Sequence, residues 1–138
     1  MKLTVDVLTP QSQVYSGEAD EVIAPTVNGE IGILPNHIPL LTQILPGELR
    51  IKIGNKTQSI AILGGYLEVS GNKVNVLGDY AVRAEDIETA KAEQARQRAM
   101  KLKEEKVSQR DLAEIEASLR KSLLELKVAR RHRSGKTS

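Results

Sequence analysis

The sequence predicts a β domain followed by an α domain. An N-terminal antiparallel β-sandwich of about ten strands occupies residues 1–83, and a C-terminal antiparallel two-helix hairpin occupies residues 84–138. Two observations carry this division. All five prolines, and every glycine except Gly135, lie at or before Gly78. The hydrophobic period also changes, from two in the first segment to three-and-four in the second.

The strands announce themselves by alternation. Leu3, Val5 and Val7 alternate with Thr4 and Asp6, Leu49, Ile51 and Ile53 with Arg50 and Lys52, and Val74 and Val76 flank Asn75. Gly54-Asn55 and Gly71-Asn72 separate β-rich runs as turns, and Pro46-Gly47 opens another. From Glu85 to Lys106 there is neither Gly nor Pro, and Ile87, Ala90, Ala95, Ala99 and Leu102 form a shallow apolar face. A second helix follows, with Ser108 and Asp111 as capping residues and Leu112, Ile115, Leu119, Leu123 and Leu126 as its apolar stripe. Small alanines facing leucines allow close approach, so a hairpin turning near 105–108 is expected. Its limited apolar area predicts a loosely held element, because helices of this length depend on packing for stability.

Composition excludes several functions. There is no cysteine, Trp or Phe, and only three Tyr and two His, so the core is aliphatic. Disulfides and zinc fingers are ruled out, and an aromatic stacking platform for bases is not expected. The N-terminus, interrupted by Asp6 and Pro10, does not read as a signal peptide, and the longest uncharged run falls short of the roughly 20 apolar residues of a membrane span. The charge is uneven: residues 1–83 carry 6 Lys+Arg against 8 Asp+Glu, and residues 84–138 carry 14 against 10.

No constellation for catalysis is present. Gly64-Gly65 lies between two strand-like runs and does not enter a helix, so it is not a phosphate loop. His37 has no acidic neighbour in sequence, and Asp20-Glu21, Glu85-Asp86 and Glu104-Glu105 sit beside turns or helix ends, where solvation and helix-dipole support explain them. No cofactor and no metal are expected. What asks for explanation is the uncharged run from Ile31 to Gly47, with Pro35, Pro39 and Pro46, since so apolar a loop-rich stretch calls for an apolar partner.

"VLTP" at Val7–Pro10, "GEIGILPNHIPLLT" at Gly29–Thr42, "GGYLEV" at Gly64–Val69 and "AEDIETAKA" at Ala84–Ala92 together resemble the epsilon subunit of F-type ATP synthases over essentially the full chain, with a pattern most similar to photosynthetic members. The resemblance implies a β-sandwich plus helical hairpin in a non-catalytic, central-stalk subunit. Its implied partners are the gamma subunit, the ring of c subunits and the acidic loop of the catalytic beta subunits, with no nucleic acid. It implies peripheral membrane placement through the complex, on the cytoplasmic or stromal side of an energy-transducing membrane such as the thylakoid.

Carried onto this chain, the resemblance places Glu30, Asn36, His37, Ile38 and Pro39 at the contact with gamma and the c-ring. It makes Arg120, Lys121, Lys127, Arg130 and Arg131 the basic face of an inhibitory hairpin that restrains ATP hydrolysis. Relatives that bind ATP carry Asp and Arg where this chain has Glu88 and Lys91, and Lys cannot copy the planar fork of Arg. Lys121 is followed by Glu125 where a second base would be needed, so the resemblance argues against nucleotide binding. The competing reading is a β-sandwich adaptor whose basic helix binds nucleic acid or anionic lipid.

Overall fold

The structure is a computed structural model and describes residues 1–105 and 107–137. The chain divides into two compact units, Met1–Arg83 and Ala84–Ser138.

The first unit holds ten strands: β1 (Leu3–Leu8), β2 (Gln13–Ala19), β3 (Glu21–Thr26), β4 (Gly29–Ile33), β5 (Leu40–Ile44), β6 (Gly47–Ile53), β7 (Lys56–Ile62), β8 (Gly65–Ser70), β9 (Lys73–Gly78) and β10 (Ala81–Arg83). They follow the order β10-β7-β6-β3-β5-β8-β9-β1-β2, with β4 paired to β3 off this path. β2 comes close to β6 and β10, so the sheet folds over on itself as a sandwich. Pairing is antiparallel except between β1 and β9, which run parallel with Val5 opposite Val74 and Val7 opposite Val76. No local pattern in the sequence signals that junction, because β1 and β9 are separated by most of the domain.

Alternation sends one face of each strand inward. Leu3, Val5 and Val7, Leu49 and Ile51, Leu67 and Val69, and Val74 and Val76 are all fully or almost fully buried in one aliphatic core. Ile53 is the exception among the expected inward residues; it ends β6 beside the turn and is exposed. Gly54 and Gly71 have φ of 58° and 61° at the first central position of two-residue turns joining β6 to β7 and β8 to β9. The following Asn residues keep negative φ, so these are type II′ hairpin turns, whose hand suits the twist of the strands. Gly65, at φ 138°, allows a close crossing: a Cβ there would lie 2.0 Å from the Leu77 carbonyl oxygen.

The second unit opens with a single 3-10 turn (Ala84–Asp86), followed by α1 (Thr89–Lys103) and α2 (Gln109–Thr137). The first helix therefore begins four residues later than the Glu85 start expected, because the Ile87 N–H bonds back to the Ala84 carbonyl before the chain turns helical after Glu88. Ser108 caps α2, its Oγ accepting the Asp111 N–H at 3.2 Å. Ala92 and Ala99 are buried on α1, and Ser122, Val128 and Ala129 on α2. An open groove of about 390 Å³ remains between the helices near Ala95, Ala99, Leu102 and Ile115, so alanine facing isoleucine does not close the hairpin near its turn.

Candidate interaction surface

The Leu34–Pro39 segment is a shaped loop. The His37 N–H donates to the Leu34 carbonyl at 3.2 Å, and Asn36 has φ of 69°. Proline at the second position and a left-handed Asn at the third define a type II β-turn over Leu34–His37. Asn is among the few side chains that tolerate that backbone region. The turn is pinned from outside as well, since the Asn36 N–H donates to Asn72 Oδ1 at 2.7 Å. His37 turns Nδ1 toward the Ile38 carbonyl oxygen at 2.7 Å, a local bond that leaves Ile38 pointing outward and 75% exposed.

Beyond the loop, the outer face of β5, β8 and β9 continues the apolar surface. Leu41 is 70% exposed, and Tyr66 and Leu77 are 56% exposed each. Tyr66 stands directly opposite Leu77, and Leu41 opposite Glu68, which puts Leu41 diagonally across from Tyr66. Leu34, in the loop, is also exposed. The sequence reading reaches Leu34 and Leu41 only as members of the uncharged run 31–47, and does not single out Tyr66 or Leu77 as surface residues. A signal is nevertheless there: Leu40-Leu41, Tyr66-Leu67 and Val76-Leu77 are apolar doublets in strands of period two, so one member of each must face out.

Glu30 stands apart from this loop. It lies on β4, three residue steps before Ile33, or about 10 Å at ~3.3 Å per residue. Its Oε1 accepts Arg50 Nη2 at 2.8 Å across the sheet, with Arg50 also 4.0 Å from Glu48. The five residues expected at the contact thus form a loop group of Asn36, His37, Ile38 and Pro39, with Glu30 fixed separately by Arg50 on β6, across β3.

On the hairpin, Lys91 Nζ lies 3.0 Å from Glu88 Oε2, so these two exposed side chains satisfy each other. Burial pushes the Glu125 carboxyl above its ordinary value while Lys121 pulls it down. Arg120, Lys127, Arg130 and Arg131 are exposed and Lys121 is partly covered. Arg120, Lys127 and Arg131 recur at spacings of seven and four, which align on one stripe opposite the buried Ser122 and Ala129. Among the described residues no three His, Asp or Glu side chains gather as metal ligands, and no helix is long and apolar enough to cross a membrane.

A closed β-sandwich with an apolar outer strip, joined in sequence to a helical hairpin with a cationic stripe, defines a binding subunit. The family described as ATP synthase, Delta/Epsilon chain, beta-sandwich domain matches residues 2–84. The chain is 44% identical over 133 residues to the ATP synthase epsilon chain of Dehalococcoides mccartyi, covering 96% of this chain and 95% of that one. It is 41% identical over 134 residues to the epsilon chain of Herpetosiphon aurantiacus, covering 97% and 98%. Its fold matches a chain in the cryo-EM structure of the Euglena gracilis mitochondrial ATP synthase, OSCP/F1/c-ring in rotational state 1, with a TM-score of 0.73 at 22% identity, over 86% of this chain and 76% of that one. A second match is to a chain of the Tetrahymena thermophila mitochondrial ATP synthase central stalk/c-ring, with a TM-score of 0.61 at 16% identity, over 94% and 97%. The chain belongs to the ATP synthase delta/epsilon family, as an epsilon chain. It is a non-catalytic subunit serving ATP synthesis and ion transport.

Proposed function

We propose that the unit Met1–Arg83 docks this subunit onto the rotor, against the gamma subunit and the c-ring, and that the hairpin acts as a brake on ATP hydrolysis. The observation that carries the docking half is the exposed apolar surface of Leu34, Ile38, Leu41, Tyr66 and Leu77. So many large apolar side chains on adjoining strands and one loop mark a protein-facing surface. Asn36, His37 and Pro39 shape its loop, and Glu30, held by Arg50, supplies a fixed carboxylate at a second contact with the c-ring. The named neighbours with this fold come from central-stalk and c-ring assemblies, which supports the same partners here.

The brake rests on the exposed stripe of Arg120, Lys127 and Arg131, with Lys121 and Arg130 beside it, which complements an acidic loop on the catalytic beta subunits. Glu88 and Lys91 pair with each other, and with Glu125 in place of a base the hairpin does not hold ATP. The named relatives are bacterial, so the proposal is a peripheral position on an energy-transducing membrane and does not extend to a thylakoid or chloroplast complex.

The test uses ATP hydrolysis by an ATP synthase core stripped of this subunit, to which the full chain or a chain ending at Arg83 is returned. Both should bind, and the full chain alone should inhibit. Failure of both to bind would overturn the docking assignment; equal inhibition by both would overturn the brake.

A further inference from the structure

We infer that Asn72 is the positioning residue of the docking loop, joining the loop half of the apolar surface to its sheet half. The inference rests on the docking role proposed above. Asn72 is the second residue of the turn between β8 and β9, the strands that carry Tyr66 and Leu77. Its Oδ1 accepts the Asn36 N–H at 2.7 Å, its Nδ2 faces Met1 Sδ at 3.2 Å, and its carbonyl accepts the Thr4 N–H at 2.8 Å. One residue thus ties together the loop, the β8–β9 hairpin and the start of β1.

The choice of atoms follows from turn geometry. A type II turn uses its fourth N–H, that of His37, for its own closure. The N–H of the third residue, Asn36, takes no part in that closure and is left to bond to water or to an acceptor elsewhere in the fold. Without the Asn72 bond, the loop keeps its own Leu34–His37 closure but loses this tie to the β8–β9 hairpin, so Ile38 is positioned less firmly relative to Leu41 and Tyr66. Asn72 supplies that acceptor without adding a further charge beside the apolar side chains, and its amide nitrogen faces Met1. Preorganising a docking surface in this way lowers the entropy lost on association.

The experiment compares the full chain with Asn72→Ala, Asn72→Asp and Ile38→Glu variants. Hydrogen exchange at the Asn36 amide reads the clamp, and binding to an ATP synthase core stripped of this subunit reads docking. Asn72→Ala should speed Asn36 exchange at least about tenfold and weaken binding by about three- to tenfold, the factor expected for one hydrogen bond. The protection of Val74 and Val76 should not change. Asn72→Asp keeps the acceptor and should restore Asn36 protection.

Unchanged Asn36 exchange in Asn72→Ala would overturn the inference; if Ile38→Glu still weakened binding, the docking role itself would stand. Faster exchange with unchanged binding would also overturn it, by showing that loop order does not serve docking. If neither Ile38→Glu nor Asn72→Ala altered binding, the docking role would fall and the inference with it.

Discussion

At the scale of single residues, turn chemistry accounts for much of the sandwich. Gly54 and Gly71 are readable as hairpin turns because a glycine before Asn between β-rich runs has few other uses. The Leu34–His37 turn is readable only as a rigid, proline-shaped loop, since its type depends on the left-handed φ of Asn36. Asp20 is a tertiary feature without any local sequence signal. Its carboxylate accepts the Gly54 N–H at 2.6 Å and also bonds to Lys2. The Gly54 bond is the larger cause, and with Lys2 it holds the Asp20 carboxyl below the ordinary value. A depressed folded value favours folding above the unfolded value of about 3.9, and that contribution is lost as pH falls through the lower folded value. Asp20→Asn should therefore flatten the loss of stability below about pH 4. Urea titrations of both proteins across that range check it, and parallel pH profiles would refute the assignment.

Among the elements, the strands and the presence of both helices are legible in the periodicity, whereas strand pairing, the start of α1 and the full inward faces are not, since Ala90 and Leu123 of the expected apolar faces are exposed. The parallel β1–β9 contact joins strands about 70 residues apart, beyond the reach of any local pattern. The start of α1 is misleading in the sequence because Glu85 and Asp86 suit a helix N-terminus but occupy the preceding 3-10 turn instead. The apolar strip is hidden for a related reason: alternation marks which residues of a strand are buried, and an outward leucine reads at first as another core residue. The capping of α2 is legible in Ser108 and Asp111. Ser108→Ala should cost the hairpin about 1 kcal/mol, seen as faster exchange of the Asp111 and Leu112 amides and lower helicity at moderate urea. The Leu112 N–H also bonds to the Ser108 carbonyl, so the backbone start of the helix survives the change. An Asp111 amide that exchanges at the same rate in both proteins would show that the side chain contributes nothing.

On the whole-molecule scale, the two proposed roles should respond differently to salt. The proposed docking surface of Met1–Arg83 is largely apolar, and apolar association is not weakened by screening. The proposed brake acts through exposed Arg120, Lys127, Arg130 and Arg131, whose attraction to an acidic surface is screened as the Debye length shrinks from about 10 Å at 0.1 M to about 3 Å at 1 M salt. Raising the salt should release inhibition before it releases the subunit. A variant carrying Arg120→Gln, Lys127→Gln and Arg131→Gln should inhibit weakly at every ionic strength while binding like the parent chain. Hydrolysis and binding measured together on the stripped core across a salt series separate the two effects. Inhibition that persists unchanged to high salt, or in the neutralised variant, would show that the brake works by shape and not by charge.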